Sequence, residues 1–80
     1  MLLNKILELT KEGYSVKIEP FMFGDGITII LYKFAGNGMI REHKIISGHW
    51  LKQLDENEIV HILEEMKSNI ERKLKEHDQT

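Results

Sequence analysis

The sequence predicts a two-layer α+β fold, in which a three-stranded antiparallel meander packs against an N-terminal helix and a longer C-terminal helix. Apolar residues recur at helical spacing near both ends of the chain, and three stretches between them have the composition of strands. Glycine-containing segments separate these stretches, as in hairpin turns. The α-β-β-β-α order is expected to form one domain over residues 1–80, because so short a chain builds a single core.

The first helix is predicted over residues 2–12, since Gly13 stands where a left-handed residue would end it. The first strand begins at Tyr14, where apolar and polar side chains start to alternate. Pro20 lacks an amide donor and marks an edge strand, a bulge or the end of this strand. The strand is expected to resume over residues 21–23.

The second strand is predicted over residues 27–34 and the third over residues 39–46, with a glycine-containing turn between them. Apolar and polar residues do not alternate cleanly in the third strand, so its pairing with the second strand is inferred from the turn between them. If Asn37-Gly38 is a two-residue turn, Lys33 faces Glu42 across the two strands.

The C-terminal helix is predicted over residues 56–76, with Asp55 as N-cap and Glu58 at the capping-box position. It is longer than the strands, so its end is expected to overhang the sheet. Ile70 and Leu74 would then meet the first helix or another subunit, which makes them a possible oligomer contact. Residues 47–54 are expected to be a linker with a helical turn, and Trp50 in it is expected to fill the corner between sheet and helix.

Composition limits the function classes. The chain is 41% hydrophobic and 30% charged, with one proline and no cysteine, which is typical of a folded protein without disulfides or thiolate sites. No continuous apolar run suggests a signal peptide or a membrane span, so we expect a cytoplasmic protein with no membrane partner. Residues 1–54 have a formal charge of +2 and residues 55–80 of −4. The acidic segment disfavours phosphate binding at that end.

No residue pattern predicts catalysis. The four histidines have no metal-ligand spacing, the neighbouring Glu64 and Glu65 lie on the polar side of a helix, and Ser47 with His49 lacks a nucleophile-elbow pattern. We therefore expect no enzyme activity, no metal site and no cofactor.

The two faces of the predicted sheet differ in character. A turn at Asp25-Gly26 sets Phe21 opposite Ile30, so that aliphatic side chains collect on one face and aromatic ones on the other. The aliphatic face is the natural seat of both helices. The predicted partner-binding residues lie on the aromatic face and are Phe21, Phe23, Ile30, Tyr32, Phe34, Arg41 and His43. The alternatives are that the helices divide between the faces, or that residues 21–23 fold back over the sheet.

The order helix, strand, strand, strand, helix resembles the topology of double-stranded-RNA-binding domains and would cover nearly the whole chain. In that family a lysine-rich start of the last helix binds phosphates, whereas this chain has Asp55-Glu56-Asn57-Glu58 there. Three carboxylates would repel phosphate. We therefore expect the same topology but not the binding of double-stranded RNA. The short, cysteine-free chain rich in Lys, Ile and Glu is also similar in style to small uncharacterised phage or prophage proteins.

The leading functional hypothesis is a non-enzymatic interaction module. Its expected partner is a second copy in a homodimer, or another protein, and it would use the aromatic face or the overhang of the last helix. The alternative is single-stranded nucleic-acid binding on the aromatic face. Bases would stack on Tyr32, Phe34 and Phe21, with Lys17, Lys33 and Arg41 near the backbone.

Overall fold

A computed structural model describes residues 2–22, 24–36 and 38–78, and it confirms the predicted α+β fold class. In chain order the elements are α1 (Leu2–Lys11), β1 (Tyr14–Pro20), β2 (Gly26–Ala35), β3 (Gly38–Ser47), α2 (Gly48–Leu51) and α3 (Glu56–Asp78). The strands form an antiparallel sheet in the order β1-β2-β3. The central strand is therefore β2, and the short helix α2 is the helical turn expected in the linker.

The core lies between the two long helices and one face of the sheet. Ile29 and Leu31 of β2 are fully buried, as are Leu9 of α1 and Leu63 and Ile70 of α3. Because strand side chains alternate, Ile29 and Leu31 share a face, which we call the inner face. Burial of each such side chain stabilises the fold by about 1.5–3 kcal/mol. Both helices thus cover the aliphatic face, as the alternation predicts.

Asp55 caps the N-terminus of α3, as predicted. The backbone N–H of Glu58 donates to Oδ1 of Asp55 at 2.9 Å. This bond satisfies one of the amide groups that the first turn of a helix leaves without an intrahelical acceptor. The helix therefore begins at a position that its own sequence specifies.

Polar contacts hold α3 to β3. Glu42 of β3 accepts hydrogen bonds from Lys73 and from Nδ2 of Asn69, the latter at 3.1 Å. The hydrogen bond from Lys73 keeps the pKa of the Glu42 carboxyl below its ordinary value, against the opposing effect of desolvation. On the other flank of α3, Nζ of Lys5 in α1 lies 3.3 Å from Oε1 of Glu64. Side-chain polar contacts thus complement the apolar packing on both flanks of the helix.

The predicted register of β2 and β3 is wrong by two residues. Lys33 pairs with Ile40 rather than with Glu42, and Ala35 pairs with Gly38. The turn therefore comes earlier in the sequence than predicted, and Gly36 takes the left-handed conformation there with φ +60°. Since side chains alternate with a period of two, this shift leaves every residue on its predicted face.

The register of β1 and β2 also differs from the prediction, by four residues. Ile30 pairs with Lys17 and not with Phe21, and Pro20 is the last residue of β1. The strand does not resume at Phe21, whose backbone N–H donates to the carbonyl oxygen of Gly26 at 3.0 Å across the loop. Of the three positions, Phe23 lies outside the described residues.

The end of α3 does not leave Ile70 available for another subunit. Ile70 is fully buried in the core and Leu74 packs against the same cluster as a half-buried side chain. Tyr14 at the start of β1 reaches α3 as well, because its hydroxyl donates to Oε1 of Glu71 at 3.4 Å. The expected oligomer contact at Ile70 is therefore corrected to an intrachain contact.

Trp50 does not fill the corner between sheet and helix. Its side chain is 63% exposed, and its ring packs edge-on against His49 at a centroid distance of 5.6 Å. Leu51, the last residue of this short helix, and Leu54, which follows it, pack against the core instead. Two leucines thus take the role that the sequence suggested for the tryptophan.

None of the helices in the described part of the chain is long and apolar enough to cross a membrane.

We expect Gly26→Ala to lower the free energy of unfolding by about 2–4 kcal/mol. Gly26 has φ +126°, and an added Cβ would lie 2.0 Å from the backbone oxygen of Ile46. Chemical denaturation measures the effect. Gly38→Ala is the matched control, because an added Cβ there meets nothing within 4 Å. Equal stability losses in the two variants would contradict the close approach at Gly26.

We expect Glu42→Gln to lower stability at neutral pH by up to about 1 kcal/mol. The folded-state pKa of Glu42 is lowered, so its contribution is complete above the unfolded-state value near 4.3 and is lost as pH falls through the folded value. The stability difference between the wild type and the variant should therefore shrink below about pH 4. Denaturation curves at several pH values measure it, with the exposed Glu65→Gln as control. A difference that persists at low pH would contradict the ionic origin.

Candidate interaction surface

The side of the sheet opposite the helices is the candidate site, and we call it the outer face. The alternation of the strands and their register place on it Ser15, Lys17 and Glu19 of β1, Thr28, Ile30, Tyr32 and Phe34 of β2, and Met39, Arg41, His43 and Ile45 of β3. No described helix packs on this side. Its apolar side chains therefore remain available for contact with another molecule.

Aromatic and aliphatic side chains form an apolar strip along the outer face. Phe34 is 71% exposed, Ile45 49% and Met39 46%, while Ile30 and Tyr32 are half-buried by their neighbours. The rings of Tyr32 and Phe34 pack edge-to-face, with centroids 6.2 Å apart and an interplanar angle of 86°. The two rings together form a continuous aromatic surface on β2.

Polar side chains, two of them cationic, border the strip. Arg41 pairs with Tyr32 across the strands, and Lys17 and His43 flank Ile30 from the two sides. Nζ of Lys17 lies 3.8 Å from Oε2 of Glu19 on the same face, which balances one of these charges. Arg41 forms no ion pair with any described residue. The face is thus apolar in the middle and mildly basic at its rim.

Two shallow depressions mark the outer face. One, of about 210 Å³, is lined by Thr28, Ile30, Arg41 and His43. The other, of about 370 Å³, is lined by Phe34, Gly36, Gly38 and Met39 near the turn between β2 and β3. Both are open hollows rather than enclosed clefts, which suits contact with a macromolecular surface better than enclosure of a small molecule.

Most of the predicted partner-binding residues meet on this face. Ile30, Tyr32, Phe34, Arg41 and His43 are neighbours in β2 and β3. Phe21 follows the end of β1 and is half-buried, and its ring lies beside Gly24 in the loop. Phe23 is outside the described residues, and nothing is assigned to it.

The sequence reasoning missed Met39, which pairs with Phe34 and extends the apolar strip. Met39 stands two residues before Arg41 and four before His43, so the alternation of the strand could have placed it on the same face. Lys33, expected near a nucleic-acid backbone, lies on the other face, with Nζ 4.7 Å from the centroid of the Tyr14 ring. That expectation is corrected, since Lys33 cannot serve the outer face.

A further apolar hollow lies at the free side of β3, and we call it the edge pocket. It has a volume of about 460 Å³ and is lined by Lys44, Ile45, Ile46, Ser47, Trp50, Leu54 and Ile62. Exposed Trp50 stands at this pocket together with the aliphatic side chains of α3 and of the linker that precedes it. The pocket thus joins the sheet edge to the helical layer.

The described residues contain no group of three or more His, Asp or Glu side chains placed to hold a metal ion.

Comparison of the chain with protein-family models gives no match. Comparisons with curated proteins and with solved structures give none either.

Proposed function

We propose that this chain is a small cytoplasmic, non-enzymatic interaction module that self-associates through the outer face of its sheet. The observation that carries the proposal is the uncovered apolar strip, in which Phe34, Met39 and Ile45 are exposed beside Ile30 and Tyr32. Apolar surface of this kind is stabilised when a second surface removes it from water, by roughly 25 cal/mol per Å² before the costs of association.

A second copy suits this face because the face is elongated and open. Two sheets that pack face to face bury their strips against each other, as in β-sandwiches, with about 10 Å between the sheets. The rim charges Lys17 and Arg41 can remain hydrated at the border of such a contact. In a dimer with a two-fold axis each copy uses the same outer face, so one contact covers the apolar strips of both copies.

The size of the face sets the expected affinity. Strand β2 has 10 residues, so the face is about 33 Å long, and three strands make it about 14 Å wide. A contact between two such faces therefore covers about 900 Å² in total, less than the about 1,200 Å² at which stable interfaces begin. The face alone predicts a weak association, in the micromolar range or above.

We expect Phe34→Lys to weaken self-association at least about tenfold, because it places a charge at the most exposed side chain of the apolar strip. Phe34 is 71% exposed, so the monomer fold should be unaffected. Size-exclusion chromatography coupled to light scattering, run at several concentrations, measures the mass.

Leu3→Lys is the matched control, because Leu3 is 67% exposed on α1, away from the sheet. The control should associate like the wild type. A wild-type protein that stays monomeric at high micromolar concentration, or equal masses for the two variants, would refute self-association through this face.

Single-stranded nucleic-acid binding is the second candidate, and the register provides its supporting observation. Arg41 of β3 pairs with Tyr32 and Lys17 of β1 pairs with Ile30, so one cation lies on each side of β2 along the outer face. Bases could stack on Tyr32 and Phe34 while the backbone passes the cations. Glu19, which pairs with Lys17, weakens this arrangement.

A labelled oligonucleotide distinguishes the two candidates. If nucleic acid is the partner, fluorescence anisotropy should show binding at low salt that weakens as salt rises, and both Arg41→Gln and Tyr32→Ala should reduce it. Lys33→Gln is the control, since Lys33 lies on the inner face. Absence of binding at low salt eliminates this candidate.

A further inference from the structure

The outer edge of β3 is an unpaired strand edge of unusual length for so small a sheet. β3 has 10 residues and no proline, whereas the opposite edge strand β1 has seven residues and ends at Pro20. No described strand pairs with β3 along the edge that faces away from β2. Its backbone amide and carbonyl groups therefore form a template for one more strand.

The inner-face side chains of β3 are arranged so that a second copy of the same strand complements them. The inner face of β3 carries, in order, Ile40, Glu42, Lys44 and Ile46. The two isoleucines are thus at the ends of this run, and the two opposite charges lie between them. In an antiparallel pair about a two-fold axis at His43, Glu42 faces Lys44 of the second copy, and Lys44 faces its Glu42. Ile40 likewise faces Ile46 of the second copy in both directions.

Neighbouring registers lack this match. An axis at Glu42 sets two Glu42 side chains opposite each other and places Ile40 against Lys44. An axis at Lys44 sets two lysines opposite each other and places Glu42 against Ile46. Like charges directly opposite destabilise a strand pair, whereas opposite charges and apolar pairs stabilise it. The register centred on His43 is therefore the favoured one among the three.

The surroundings of the edge also suit a second copy. Lys44 makes no ion pair with any described residue, so Glu42 of the second copy would be its carboxylate partner. Glu42 accepts hydrogen bonds from Asn69 and Lys73 of its own α3, which fix its carboxylate on the inner face of this edge strand. Beside Ile46 the edge pocket, with exposed Trp50, has room for the apolar side chains that an added strand brings.

We propose that two copies pair through their β3 edges, antiparallel and centred on His43, into one continuous six-stranded sheet. This inference rests on the proposed self-association and deepens it. The two outer faces become one surface of about 900 Å², so two such dimers stacked face to face would bury about 1,800 Å², within the range of stable interfaces. Edge pairing thus supplies the area that a single outer face lacks.

Cysteine cross-linking tests the register, because the natural chain has no cysteine. His43→Cys places the two introduced thiols opposite each other at the axis, within the Cα separation of 4.4–6.8 Å that a disulfide needs. We expect this variant to form a covalent dimer under mild oxidation at least about tenfold faster than Arg41→Cys or Ile45→Cys. All three positions are exposed on the outer face of β3, so they are matched in access.

A mixture of the Arg41→Cys and Ile45→Cys variants provides a second test of the same register. Position 41 faces position 45 of the second copy, so the mixed sample should cross-link as heterodimers although neither variant does so efficiently alone. Lys44→Glu added to His43→Cys should slow cross-linking, because it sets two carboxylates opposite each other. Equal rates at positions 41, 43 and 45 would overturn the edge pairing.

Phe34→Lys separates this inference from the proposed function. In the His43→Cys background it should leave cross-linking unchanged, because Phe34 lies on β2 and not at the β3 edge, whereas any cross-linking between stacked outer faces should fall. Selective cross-linking with a mass that Phe34→Lys does not lower would support the edge and refute the face. A mass lowered by Phe34→Lys without selective cross-linking would support the face and refute the edge.

Discussion

The packing of α3 against β2 is the contact on which the rest of the structure depends. Leu63 and Ile70 lie on Ile29 and Leu31, and all four side chains are fully buried. The chain has two long helices, and both are used on the inner face. A central strand that is apolar on both faces then leaves one face without intrachain cover. The exposed strip of the outer face is a direct consequence of where the helices pack.

The sequence predicted the element types and the faces, because these follow from local periodicity. It did not predict the pairing of Lys33 with Ile40, because Gly36 and Gly38 both suit a hairpin and the sequence does not say which residue takes positive φ. An error of two residues moves a side chain along the strand but keeps it on its face. The composition of the candidate surface was therefore predictable, while its neighbours across the strands were not.

Trp50 shows a different limit of sequence reasoning. A lone tryptophan in a linker is most often part of a core, but its position depends on how a four-residue helix turns between β3 and α3. Leu51 and Leu54 pack against the core in that segment, so the indole points outward and lines the edge pocket. Competition among three large apolar side chains for one corner is settled by tertiary geometry.

The charged run in the middle of β3 obscured the strand in the sequence, and it acquires a physical role in the structure. Exposed strand edges pair indiscriminately unless charges or prolines prevent it, and an edge of 10 residues beside an apolar face would be a hazard. Charges of one sign would block every pairing. In the edge pairing proposed above, Glu42 and Lys44 penalise the two neighbouring registers and favour the one centred between them, so the same residues would both protect the edge and select its partner. Protection and recognition therefore need no separate surfaces in a chain of this size.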